Sequence, residues 1–167
     1  GNHDQVRFAS LAGGGIHFRE DGKLEGWTRE VGLLPNDTPD EERESLAREA
    51  YRRALRLEML NLTIPGVPCI YQGDEYAEVG GNDPDNRHWM RFDGLSQQEQ
   101  DFRKQVKQLI ALRRSHMALM YGDYIPVRSD DNTIEFIRTY MGETINIKIS
   151  RNEESSISIN GNRAFSL

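Results

Sequence analysis

Within its first seven residues the chain sets an amide (Asn2), an imidazole (His3), a carboxylate (Asp4) and a guanidinium (Arg7). An imidazole beside a carboxylate can donate to hydroxyls or move a proton near neutral pH, and a carboxylate can stabilise positive charge developing on a reacting atom. A second group of such residues is Asp83-Pro84-Asp85-Asn86-Arg87-His88-Trp89, and a third, Gln72-Gly73-Asp74-Glu75, closes a short apolar run. Asp83, Asp85 and Asn86 carry oxygen donors, but an EF-hand calcium loop needs Gly at its sixth position and Glu at its twelfth. Counted from Asp83 those positions hold His88 and Gly94, so the match fails. Neither a metal nor a cofactor is expected. Cys69 is the single cysteine and excludes an intrachain disulfide.

The elements that must position these residues follow from periodicity and punctuation. Residues 1–37 read as a loop broken by Gly13-Gly14-Gly15, with Val6, Phe8 and Leu11 as its first apolar residues and Trp27 further on. Thr38-Pro39-Asp40-Glu41 predicts a capping box with proline at the first helical position. Leu46, Ala50, Ala54, Leu57 and Leu60 then give an apolar stripe ending near Leu62, before Pro65. On the other face Glu44 and Glu49 stand four residues before Arg48 and Arg53, a spacing that pairs charges along a solvated surface. Val67-Pro68-Cys69-Ile70-Tyr71 reads as a buried strand. Ser96-Gln97-Gln98-Glu99 is a second capping box, opening a helix with Phe102, Val106, Leu109, Ile110 and Met117 on its apolar face. A buried strand between two helices predicts a parallel α/β architecture.

From Tyr121 the pattern turns to alternation: Ile134, Phe136, Arg138 and Tyr140 share one face, and Ile145, Ile147 and Ile149 another. Met141-Gly142 and Asn160-Gly161 are hairpin turns. The expected organisation is an α/β domain over residues 1–120 and an antiparallel β domain over 121–167. The 167 residues carry 21 Lys and Arg against 27 Asp and Glu, a net charge of −6, with no apolar run of membrane-spanning length. Neither nucleic acid nor membrane is expected as a partner.

Two family resemblances meet at the N-terminus. Gly1-Asn2-His3-Asp4 resembles part of the metallophosphoesterase signature, a reading that requires further metal ligands. His17, His88 and His116 remain downstream, none in a Gly-x-His-x-His arrangement. Taken together, Asn2-His3-Asp4-Gln5-Val6-Arg7, Pro65-Gly66-Val67-Pro68-Cys69-Ile70-Tyr71-Gln72-Gly73-Asp74-Glu75 and Asp83-Pro84-Asp85-Asn86-Arg87 resemble glycoside hydrolase family 13, the α-amylase family, over almost the whole chain. The resemblance implies the last two β/α units of a (β/α)8 barrel followed by a small, sandwich-like antiparallel β domain. Such a barrel takes about 250 residues, so the chain is expected to be a C-terminal piece, inactive alone, of a retaining hydrolase or transglycosidase acting on α-glucosidic bonds.

By that resemblance Asp4 is the transition-state-stabilising carboxylate, and His3, Asp85 and Arg87 bind the sugar. Arg7 supports them by orienting carboxylates, and Glu75 is structural. The nucleophile and acid/base carboxylates, about 5 Å apart in retaining enzymes, belong to strands four and five, outside this chain. The expected partner is an α-glucan or oligosaccharide. The family pattern often has Tyr where Gln72 stands and Pro where His88 or Trp89 stands, which leaves Trp89 as a candidate sugar platform. The alternative is a non-catalytic member used for binding or assembly. A piece cut from a barrel would expose apolar surface and unpaired backbone, so self-association is expected.

Overall fold

The computed structural model describes residues 2–23 and 31–167; Trp27 lies outside them. The chain divides into two compact units, one of Gly1–Ala54 with Cys69–Lys104, the other of Leu55–Pro68 with Gln105–Leu167.

The first unit opens with a short helix where the sequence predicts a loop: α1, Phe8–Gly13, with Ala9, Ser10 and Ala12 buried. It ends at Gly14, whose left-handed conformation (φ 80°) closes the last turn. The flanking glycines answer to space. A Cβ on Gly13 would stand 2.0 Å from the Leu33 carbonyl oxygen, and one on Gly15 2.0 Å from that of Gly32.

The long helix α2 spans Asp40–Thr63. Its predicted cap differs in detail, because the Thr38 hydroxyl donates to the Pro35 carbonyl at 2.7 Å and stabilises the approach to the helix. The buried stripe also differs: Ala50, Ala54, Leu55, Met59 and Leu62 are buried while Leu46 is exposed. The expected charge pairs form, Glu44–Arg48 at 3.7 Å and Glu49–Arg53 at 3.3 Å. In α3, Gln97–Ser115, the capping box is reciprocal. Glu99 N–H donates to Ser96 Oγ (3.3 Å), and Ser96 N–H to the Glu99 carboxylate (2.7 Å), which satisfies two otherwise orphan donors.

Residues 67–71 do not form the predicted buried strand. They adopt no regular structure, Val67 is 96% exposed and Cys69 is exposed. A strand needs a ladder partner for its backbone groups, and among the described residues none pairs with this run. No parallel sheet is present among them.

In the second unit α4, Met117–Tyr121, leads into five strands: β1 Asp123–Ser129, β2 Thr133–Tyr140, β3 Glu143–Ser150, β4 Ser156–Ile159 and β5 Asn162–Ser166. They form one antiparallel meander in chain order. The antiparallel β domain expected from the alternating pattern is thus present as one five-stranded sheet. Both predicted turns are present, with positive φ at Met141 and Gly142 and again at Asn160 and Gly161, the conformation a two-residue I′ hairpin requires.

The register corrects the face assignment. Phe136 pairs with Ile147 and Arg138 with Ile145, so these residues lie on one common face. Phe136, Ile147 and Ile157 are partners across three strands and all are fully buried.

Arg138 sits on that apolar face at 1% exposure. Its guanidinium donates to the carbonyls of Thr63 (2.7 Å), Leu119 (3.2 Å) and Gly122 (2.8 Å). Arg113 does the same for Leu62 (2.8 Å) and Gly66 (2.6 Å). Two cations thus satisfy carbonyls left over at helix ends, where the helix dipole is negative. Burial draws both guanidinium pKa values below the ordinary arginine range.

Candidate active site

Asn2 opens the first segment as a tight turn, its side-chain oxygen accepting the Asp4 N–H at 2.8 Å. The turn leaves both His3 and Asp4 open to solvent, with His3 Nε2 3.3 Å from Asp4 Oδ1. An imidazole and a carboxylate side by side at the surface can contact the hydroxyls of one ligand together.

What holds this turn comes from residues far along the chain. The Arg7 side chain is 2% exposed. Its Nε donates to the Asn86 carbonyl (2.9 Å), and its Nη1 to the Gln72 carbonyl (2.6 Å) and the Asp74 carboxylate (3.1 Å). Its guanidinium carbon lies 4.3 Å from the centre of the Tyr71 ring, within cation–π range. Arg7 N–H also donates to Gly80 O at 3.0 Å, and a Cβ on Gly80 would stand 2.6 Å from the Asp85 carbonyl oxygen, so only glycine fits there. Arg7 therefore ties the N-terminal turn to the 72–74 segment and to the loop carrying Asn86. Its side chain is placed away from the surface.

The 83–91 loop contributes differently from each position. Arg87 Nε donates to the His3 carbonyl (3.1 Å), and its Nη2 lies 3.1 Å from Asp83 and 3.8 Å from Asp4, so Arg87 and Asp4 face the same side. Asp85 turns inward instead. Its side chain is 9% exposed and accepts from the Gly81 N–H, the Val31 N–H (3.3 Å) and the His88 ring (3.1 Å), which organises the loop from within. His88 also lies 3.7 Å from Glu78, a carboxylate that accepts from Arg91 Nε at 2.9 Å. Arg91 bonds Glu99 in turn. Burial works against the charged form of Glu99, but its hydrogen bonds from Arg91 and Ser96 hold it below the usual carboxylate range. Glu75 accepts the Gly73 N–H at 2.8 Å. Trp89 is 94% exposed, so its ring is free to take a flat ligand.

The structure thus brings His3, Asp4, Arg7 and Arg87 together and sets Asp85 behind them. Among the described residues no group of His, Cys, Asp and Glu is arranged to hold a metal ion. One residue of this neighbourhood gave no signal in sequence beyond its place in a motif. Asn86 is fully buried, and its amide nitrogen donates to the carbonyls of both His3 and Gln5, at 2.9 Å each.

Comparison with known proteins finds relatives in both sequence and structure. A cyclomaltodextrinase from Geobacillus thermopakistaniensis is 40% identical over 107 residues, 63% of this chain and 18% of that protein. A cyclomaltodextrin glucanotransferase from Bacillus sp. strain 38-2 is 31% identical over 125 residues, 75% of this chain and 17% of its own length. Among solved structures, an Anoxybacillus α-amylase matches 95% of this chain and 28% of its own, with a TM-score of 0.62 and 27% identity. No family model matches the chain. The chain spans less than a fifth of the length of these two curated relatives.

The chain is a homologue of glycoside hydrolases. Its relatives are those of the α-amylase family, glycoside hydrolase family 13, consistent with a C-terminal piece of such a protein.

Proposed function

We propose that this chain supplies the end of a (β/α)8 catalytic barrel, residues 1–120, and the start of the following β domain, 121–167, in a retaining α-glucan-active hydrolase or transglycosidase. Asp4 is the carboxylate that grips the reacting sugar without forming the covalent bond. As positive charge develops on the ring, a fixed anion gains more from the transition state than from the ground state, so binding there becomes rate. His3 donates to a hydroxyl of the same ring. Arg87 and the exposed Trp89 extend the contact along the oligosaccharide, and Asp85 holds the loop that carries them. Arg7 keeps the two loops in register.

The observation that carries this reading is the buried Arg7, bonded to residues 72, 74 and 86, beneath a turn that leaves His3 and Asp4 side by side in solvent. The nucleophile and the acid/base come from elsewhere in the parent protein, and the isolated 167 residues turn over no substrate. In the full-length protein, Asp4→Ala lowers kcat on a maltooligosaccharide by about 10²–10³-fold, the loss seen when one transition-state contact is removed. Undiminished turnover by that variant, or hydrolysis by the isolated chain above its own Asp4→Ala control, would overturn the reading. The isolated chain also self-associates through exposed apolar residues such as Val67 and Phe92, and light scattering at rising concentration reads this directly.

A further inference from the structure

We propose that Asn86 is the positioning residue that sets where Asp4 and His3 stand; the proposal rests on the functional reading above. Asn86 lies in a short 3-10 turn, Asp85–Arg87, with its side chain removed from solvent. The two carbonyls it grips, those of His3 and Gln5, flank Asp4 on either side, each at 2.9 Å. One carboxamide therefore pins the backbone just before and just after the carboxylate, and the Asp4 side chain has little freedom left except its own rotamer. The pin is itself fixed, because the Asn86 carbonyl accepts from the buried Arg7 Nε at 2.9 Å. The His3 carbonyl is gripped a second time by Arg87 Nε.

The other half of the amide shows which property is in use. Asn86 Oδ1 is buried and, among the described residues, has no hydrogen-bond partner. A fold gains nothing from an acceptor left without a donor, so the residue acts through its two N–H donors. Of the natural side chains of this size, aspartate would aim negative charge at two carbonyl oxygens and supply no donor. Leucine would take the Asn86 donor from the Gln5 carbonyl and leave the His3 carbonyl to Arg87 alone. Glutamine would displace the donors by the length of a methylene. Catalytic groups lose rate steeply when moved by fractions of an ångström to an ångström, so the effect belongs in kcat rather than in ground-state binding.

The test uses the full-length protein and a maltooligosaccharide, comparing Asn86→Ala and Asn86→Asp with Asp4→Ala. Both Asn86 variants are expected to lose about tenfold to a hundredfold in kcat, while KM changes by less than about threefold. An ¹⁵N-labelled sample of the 167-residue chain gives a readout that needs no turnover: the His3, Asp4 and Gln5 amide signals move in Asn86→Ala, and those of β2 and β3 do not.

If Asp4→Ala removes turnover while both Asn86 variants keep kcat within about twofold of the parent, positioning by Asn86 is overturned and the functional reading stands. If Asp4→Ala leaves turnover intact, the functional reading falls, and the amide signals alone then judge the clamp. Unmoved His3 to Gln5 signals overturn it in either case. Should Asn86→Asp fail to fold, Asn86→Ala, which introduces no buried charge, carries the kinetic comparison.

Discussion

The β-sheet and the Asp4 loops solve the same problem, satisfying backbone groups while fixing side chains, by opposite means. In the sheet each strand pairs with its neighbour in sequence, so one ladder both satisfies the backbone and sets which residues face inward. Around Asp4 there is no ladder. Backbone carbonyls at residues 3, 5, 72 and 86 are satisfied by the side chains of Arg7, Asn86 and Arg87, across separations of 65 to 84 residues. A ladder distributes its stability over many equivalent bonds. The clamp concentrates it in a few side chains, which leaves the rest of the loop free to present polar groups to a ligand.

Phe136→Ala is expected to have the largest effect. Phe136 is fully buried and packs on Tyr124 at a ring-centroid distance of 4.9 Å, and its truncation is expected to cost about 3–5 kcal/mol, read by urea unfolding. The loss should be shared, with faster amide exchange throughout β1 to β4. Arg7→Met tests the concentrated arrangement. It keeps much of the apolar stem but strips the donors from Gln72, Asp74 and Asn86, at an expected cost of about 3 kcal/mol. Amide exchange should accelerate at Asp4, Gly80 and Gly81. Equal acceleration of the β2 and β3 amides would show that the two regions are not stabilised differently after all.

The smallest expected effect is a pH dependence. Glu143 binds His116 Nδ1 at 2.6 Å and caps α4 by accepting the Ala118 N–H at 3.1 Å. Burial raises its pKa, but those hydrogen bonds outweigh it and hold the carboxyl below the usual range. A carboxyl depressed in the folded state stabilises the fold above its unfolded pKa, about 4.3. That contribution is lost as pH falls through the folded value. Glu143→Gln should therefore lower Tm at pH 6 and lose the difference from the parent as pH drops below about 4. A constant offset across that range would mean the pair contributes packing rather than charge.

How much could be read from sequence follows the same division. Asn160-Gly161 and Met141-Gly142 announce their hairpins because the chemistry of a tight turn is local, and the Ser96 to Glu99 box closes within one helical turn. The run 67–71 misled, since an apolar strand pattern states a capacity for pairing and says nothing of whether a partner strand lies beside it. The shared face of Phe136 and Ile147 needed the register, which a one-residue difference would have inverted. The motifs around Asp4 were legible by resemblance as a set, but the inward turn of Asp85 and the grip of Asn86 were not. Both depend on which backbone groups lie within hydrogen-bonding reach after folding, and no periodicity encodes that.

The first strand of the sheet carries a further consequence. Its burial pattern is exposed throughout, with Tyr124, Ile125 and Val127 presenting apolar surface, the composition from which intermolecular fibrils are seeded. Yet Pro126 interrupts its row of donors, and the register slips between Pro126 and Arg128. A recruiting edge must offer an unbroken, flat line of hydrogen-bonding groups, and here the line is cut and bent at its middle. The sheet is thus blocked against templated growth on the β1 side, and the last strand, β5, carries the edge without a proline.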